Sequence, residues 1–316
     1  MQINIADEIF KSIPKHKILS AIESAVEHHH SVMIDTTGAN YKAWVEDCKN
    51  LDSDIEFLVS YALGNSIFVE SKRNVVVVSS PDPNFVNQVS FDELTNILLR
   101  SFYIYVENGR ADKRFLYSIL PPELRRDLKK QESNGSLTFE NAGGITELAK
   151  KIIDDTDARA KLPLRAFALF DSDALEPGVP SKDAENAKSA CITSKIPFYC
   201  LQKRAIENYI PVDSLLKYAN RGNNETSRTQ KRIARAFDRL NEKQKSHFHM
   251  KEGFKAPHGN LYGSILPADK MTLGTGFGSK LSDCYGDEEL INRPALTGSN
   301  AWNELETLLT LVMEAI

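Results

Sequence analysis

The sequence predicts an α/β fold, a parallel sheet with crossover helices, preceded by an N-terminal α/β region and followed by a C-terminal helical extension. Three observations lead there. Short β-branched or aromatic runs recur along the chain, and several end in an acidic residue. Between them lie stretches of roughly 8 to 15 residues with apolar side chains at helical spacing, the pattern of crossover connections. Beyond Pro211 the strand-like runs fade, and helical and irregular stretches follow.

The elements follow in chain order. Ile13 to His28 has apolar residues at helical spacing (Ile18, Ile22, Val26), and Ser31-Val-Met-Ile-Asp35 reads as a short strand. The triplet His28 to His30 reads as a solvated helix end, because adjacent helical residues point in different directions and cannot share one metal ion. Val75-Val-Val-Val-Ser79 is a continuous β-branched run, expected to be buried on both faces. The loop Ser80-Pro-Asp-Pro-Asn84 closes it, and Asp92 is a candidate cap for a helix through Leu94, Ile97, Leu98 and Leu99. Residues 1–97 thus form an N-terminal α/β region. The core, residues 98–211, carries strands Phe102-Tyr-Ile-Tyr-Val106, Leu164-Arg-Ala-Phe-Ala-Leu-Phe170 and Ile196-Pro-Phe-Tyr-Cys-Leu201. Helices over Lys113–Leu120, Ile145–Asp154 and Lys182–Ser189 connect them. Residues 212–316 form the extension, with helices at Lys231–Asn241 and Asn303–Ala315 around a glycine-rich stretch, Gly253–Gly278.

Composition narrows the function classes. Hydrophobic residues make up 41% of the 316, enough for a sizeable core and against wholesale disorder. No run approaches the roughly 18 apolar residues of a membrane span, and Met1 to Lys11 lacks the apolar stretch of a secretory signal. Cys48, Cys191, Cys200 and Cys284 form no Cys-x-x-Cys pair, which argues against zinc-ribbon and redox motifs. Reduced thiols and a cytoplasmic location are expected. The sequence contains no GxxxxGK[ST] phosphate loop. Net charge is −4, yet Lys203 to Lys255 holds 13 basic against 6 acidic residues. Such a basic segment in an acidic chain points to a polyanionic partner.

Each core strand delivers acids near its carboxyl end, where open α/β sheets bind ligands. Glu107 ends the first, with Asp112 close behind; Asp171-Ser-Asp173 ends the second; Glu207 follows the third. Taken singly, Asp112 reads as a cap for the Lys113 helix. Together, converging carboxylates repel unless a cation shares them, and Mg²⁺, with Mn²⁺ as a substitute, suits hard oxygen ligands. Two such ions could activate water and stabilise the leaving oxygen of a phosphodiester.

Tyr105-Val-Glu-Asn-Gly-Arg-Ala-Asp112, Ala168-Leu-Phe-Asp-Ser-Asp173 and Lys203-Arg-Ala-Ile-Glu-Asn-Tyr209 together resemble the toprim signature of topoisomerases, bacterial primases and OLD (overcoming lysogenization defect) nucleases. The third piece is similar to OLD-like nucleases and to toprim effectors of bacterial anti-phage systems, such as the PARIS nuclease subunit. The resemblance spans about residues 100 to 211, and Leu273-Gly-Thr-Gly-Phe-Gly-Ser-Lys280 looks like a stretch of the same group. The acid pair departs from the pattern: Asp112 lies five residues after Glu107 instead of four, and Asn108 stands where glycine is usual. The resemblance implies a toprim-like core in which Glu107, Asp171 and Asp173 are catalytic, with Asp112 and Glu207 as further metal ligands. It also implies a nuclease controlled by a separate ABC-type ATPase. Self-association as a homodimer is a further expectation.

Arg228, Lys231, Arg232, Arg235 and Arg239 fall in one helical stripe, opposite Ile233, Phe237 and Leu240. Such stripes are usually plain solvated faces, but beside the last acidic strand end this one is a candidate phosphate track, joined by Arg204. Lys270 and Lys280 are candidates for transition-state charge stabilisation. The leading expectation is a Mg²⁺-dependent nuclease acting on DNA or RNA. The alternatives are a catalytically silent toprim-like module that binds nucleic acid or a partner, and a glycosyltransferase holding a Mn²⁺–nucleotide sugar on Asp171-Ser-Asp173. The last leaves Glu107, Glu207 and the basic helix without a role.

Overall fold

The computed structural model describes residues 2–27, 30–49, 55–66, 74–85, 87–98, 100–157, 165–221 and 224–316. His28, His29, Leu99 and Leu164 lie outside these. The chain forms two compact units, Met1–Ser101 and Phe102–Ile316. Both are α/β, and each is built on a four-stranded parallel sheet. No helix among the described residues is long and apolar enough to cross a membrane.

The first unit runs β1 (Gln2–Ile5), α1 (Ile9–Ser12), α2 (Lys15–Glu27), β2 (Ser31–Ile34), α3 (Ala39–Lys49), α4 (Ile55–Ser66), β3 (Asn74–Val77), β4 (Gln88–Val89) and α5 (Phe91–Leu98). Its strand order is β2-β1-β3-β4. Three local expectations change. In β3, Val75 and Val77 are buried but Val76 only partly, so the run is closed on one face and not on both. His30 is buried, so the end of the histidine triplet is not solvated. Ser90 and Glu93, not Asp92, cap α5: Ser90 Oγ accepts from Glu93 N at 3.2 Å, and the Glu93 carboxylate accepts from Ser90 N at 2.8 Å.

The second unit begins β5 (Phe102–Val106), α6 (Ala111–Ile119), α7 (Pro122–Ser133), β6 (Leu137–Asn141), α8 (Ile145–Asp157), β7 (Ala166–Phe170), α9 (Lys182–Thr193) and β8 (Phe198–Cys200). It continues through α10 (Val212–Asn220), α11 (Glu225–Asp238), α12 (Glu242–His247), α13 (Pro267–Thr272), α14 (Arg293–Thr297) and α15 (Trp302–Ala315). The strand order is β6-β5-β7-β8. Strand β6 is an addition to the three core strands read from the sequence.

Every residue of β7 is buried, because both sheet faces are covered. On one face Tyr105, Ala168 and Phe170 pack with Leu148 and Ile152 of α8 and with Ala184 and Cys191 of α9. On the other, Ile104, Val106, Phe167 and Leu169 share a core with Phe115 and Leu116 of α6 and with Phe237, Leu273, Phe277, Leu305 and Val312. Residues 212–316 are therefore not a separate extension. They supply the second apolar layer of the sheet that begins at Phe102. Leu305, fully buried on α15, tests this. Leu305→Ala is expected to cost about 2–5 kcal/mol and to lower the melting of the whole unit in one transition. A separate, earlier melting of α15 in calorimetry, with the sheet unaffected, would restore the extension as an independent part.

Candidate active site

In the second sheet the chain leaves β5 towards β6 and leaves β7 towards β8, in opposite directions. In sheets of this kind such a reversal marks a ligand crevice at the carboxyl ends of the two strands, here β5 and β7. Glu107 directly follows β5 and Asp171 directly follows β7, so the two flank the crevice. They are joined across it, as Asp171 N donates to Glu107 Oε1 at 2.7 Å. The turn that follows is held by the segment after β8. Ser172 Oγ donates to Lys203 O at 2.7 Å, and Asp173 N donates to Arg204 O at 2.9 Å. Asp173 adopts φ 47, a left-handed conformation that aspartate tolerates better than most residues. Ile206 N donates to Asp171 Oδ1 at 3.0 Å, and the short 3₁₀ turn Ile206–Tyr209 buries Glu207 to 1% exposure.

Asp112 joins this group despite its wider spacing. The helix starts at Ala111, before Asp112, and its first amides are capped by Asn108, whose Oδ1 accepts from Arg110 N and Ala111 N at 3.1 Å each. Asp112 is thus not the cap of a Lys113 helix. Its Oδ2 turns back to accept from Asn108 N at 2.8 Å, and the residue is buried.

The acids perturb one another. Burial is the main cause raising the Glu107 carboxyl to about 8, with Asp112 and Asp173 adding to it against the Asp171 amide. Burial raises Asp112 to about 7, with Glu207 adding to it. Burial, then Glu107, Asp112, Glu207 and Asp173, hold Asp171 well above the usual carboxylate range. The cation among them is Lys251. Its Nζ lies 3.1 Å from Glu207 Oε1, an ion-pair distance. Burial works against the charge on Lys251, yet Glu207, Asp171 and Asp112 together keep its ammonium above the ordinary lysine value.

The glycine-rich stretch seats this lysine. Phe277 N donates to Met250 O at 2.7 Å and Gly278 N to Lys251 O at 2.9 Å, clasping the Lys251 backbone. The close approach requires glycine: a Cβ on Gly276, at φ +60, would lie 2.7 Å from Lys251 O. Lys280, singled out from the sequence in this stretch, is exposed, and Lys270 sits with Nζ 5.5 Å from the centre of the Phe254 ring. Among the described residues no ion pair joins either to the acids. The lysine at the site is Lys251, which no local motif distinguished from the other basic residues around it.

The nucleic-acid candidates separate in the same way. Arg204 is buried, and its Nη1 donates to Pro257 O at 3.0 Å, so it braces the fold and does not reach for phosphate. On α11, Arg228, Arg232 and Arg235 are exposed and Lys231 partly so, opposite buried Ile233, Ala234, Ala236 and Phe237. Arg239, just beyond the helix, is engaged by both carboxylate oxygens of Asp269, with Nε 3.1 Å from Oδ2. It is therefore already committed within the chain.

Carboxylate oxygens are the donors a hard divalent cation would take from this cluster. Glu107, Asp112 and Asp171 each give one oxygen to a backbone amide. Glu207 Oε1 is buried and faces the Lys251 ammonium. Among the described residues, no group of three or more His, Cys, Asp or Glu side chains is arranged to hold a metal ion. Mg²⁺ needs only one or two carboxylates when it keeps its waters. No family model, curated protein or solved structure matches this chain.

The raised carboxyls fix a pH dependence. An acid whose folded pKa lies above its ordinary value binds more protons folded than unfolded, so stability falls as pH rises between the two values. For Asp112 and Glu107 that window runs from their ordinary 3.8 and 4.5 up to about 7 and 8. Without divalent metal, the melting temperature is expected to fall from pH 5 to 8, more steeply than in Glu107→Gln. Thermal melts across this range check it, and identical slopes in the two proteins would contradict the assignment.

Proposed function

We propose that this chain is a Mg²⁺-dependent nuclease that hydrolyses phosphodiester bonds in DNA or RNA on a toprim-like core. The observation that carries the reading is the Asp171 N to Glu107 Oε1 link between the two strand ends, with Asp112 buried and bonded to the Asn108 amide beside Glu107 and Ile206 N bonded to Asp171 just ahead of Glu207. Glu107, Asp112, Asp171 and Glu207 would hold the ion, with Asp173 at the exposed rim. Bound Mg²⁺ supplies Lewis acidity and lowers the pKa of water. Lys251 is assigned to the negative charge that develops on the phosphate, because it is the cation in contact with the acids. The exposed face of α11, Arg228, Lys231, Arg232 and Arg235, is assigned to phosphates flanking the scissile bond. Without a phosphate loop in its sequence, the nuclease would answer to a separate ABC-type ATPase as an effector of anti-phage defence.

The test is incubation with plasmid, single-stranded DNA and total tRNA in Mg²⁺, Mn²⁺ or EDTA. Cleavage of at least one substrate is expected in metal only, and Asp171→Asn is expected to slow it by at least about 100-fold, the upper range for residues that merely support metal ligands. A second reading, a catalytically silent binding module, takes support from the Lys251–Glu207 pair, which already neutralises part of the acid cluster. Binding without cleavage in every metal, unchanged by Asp171→Ala and Asp173→Ala, would favour it.

A further inference from the structure

The segment after β8 brings four things to the site. Lys203 O and Arg204 O hold the Asp171–Asp173 turn, Ile206 N orients the Asp171 carboxylate, and Glu207 enters directly. Eight residues, from Gln202 to Tyr209, therefore set the geometry of one side of the crevice. Both ends of this segment converge on one side chain of the C-terminal helix. Glu304 Oε1, in the first turn of α15, accepts from Gln202 N at 2.8 Å and from the Tyr209 hydroxyl. The same hydroxyl accepts from Lys203 N at 3.1 Å. Tyr209 is 1% exposed, and the Lys203 ammonium lies 4.9 Å from its ring centre while donating to Asn208 O at 3.0 Å.

We infer that Glu304 is a positioning residue for the metal site, acting through Tyr209 and the Gln202–Tyr209 segment; this rests on the metal-dependent reading above. One carboxylate oxygen fastens the start and the end of the segment to the same point of α15. With both ends fixed, the carbonyls and amide between them keep their places against Asp171, Ser172 and Asp173. Packing α15 against the sheet does not require this carboxylate, since Leu305, Leu308 and Val312 already do so. Removing it leaves the buried Tyr209 hydroxyl and the Gln202 amide without their acceptor. The segment then loses its register, and the site loses affinity although all of its acids remain. Residues that orient metal ligands typically account for 10- to 100-fold in affinity.

The test is Mn²⁺ binding to the full chain, followed by electron paramagnetic resonance well below the melting temperature, so that no catalysis is needed. Glu304→Ala is expected to weaken Mn²⁺ binding by roughly 10-fold or more. Glu304→Gln, whose amide oxygen can accept both hydrogen bonds, is expected to stay within about twofold of wild type, a small fraction of that loss. Tyr209→Phe should weaken binding, and its effect should not add to that of Glu304→Ala, because the two belong to one network. Leu305→Ala, a packing change in the same helical turn, should lower the melting temperature without moving Mn²⁺ affinity. Wild-type affinity in both Glu304→Ala and Tyr209→Phe, or an equal loss in Leu305→Ala, overturns the inference while leaving the nuclease reading in place. Absence of Mn²⁺ binding in wild type, or binding unaffected by Asp171→Asn, overturns both.

Discussion

Acids gathered at one edge of a parallel sheet are the constraint to which the second unit is built. Two unit charges 4 Å apart repel by about 4 kcal/mol at the effective dielectric of a protein surface, so such a group persists only where other interactions fix it. Here most of the fixing is done by the backbone. Amides of Asn108, Asp171 and Ile206 each hold a carboxylate oxygen, and the carbonyls of Lys203 and Arg204 hold the turn that carries two of the acids. Burial and mutual repulsion raise the Glu107, Asp112 and Asp171 carboxyls, and Lys251 pairs with Glu207.

The C-terminal third becomes intelligible from that requirement. The sheet needs a second apolar layer, and residues beyond Pro211 provide it. The same residues reach the site by two routes. The glycine clasp at Gly276–Gly278 fixes the Lys251 backbone, and Glu304 on α15 fixes the segment carrying Glu207. Core and site are thus made by the same stretch of chain, so it cannot be divided into a sheet domain and an appendage.

The sequence showed part of this. Phe102–Val106 and the run to Phe170 were legible because buried parallel strands are continuous apolar runs. Strands β1 and β6 were not, because Gln2-Ile-Asn-Ile5 and Leu137-Thr-Phe-Glu-Asn141 alternate over only four or five residues and resemble loop sequence. Glu107, Asp171 and Glu207 were legible because strand ends announce the ligand edge of a sheet. Lys251 was not, since its place depends on a backbone contact with glycines 25 or more residues away in sequence. Arg204 misled for a related reason: its position in a basic run suggested a surface, but the carbonyl of Pro257 folds over it. The basic stripe of α11 was legible from helical periodicity alone, whereas the commitment of Arg239 to Asp269 depended on tertiary structure.

The most direct measurement is a crystal structure of the protein grown with Mn²⁺, with data collected at the manganese absorption edge. The expected result is an anomalous peak in the crevice between Glu107 and Asp171, with carboxylate oxygens about 2.0–2.2 Å away, close to the distances usual for small divalent ions. Lys251 should then have moved off Glu207. A crevice without a peak, with the Lys251–Glu207 pair intact at saturating metal, would contradict a metal-dependent site at this sheet edge.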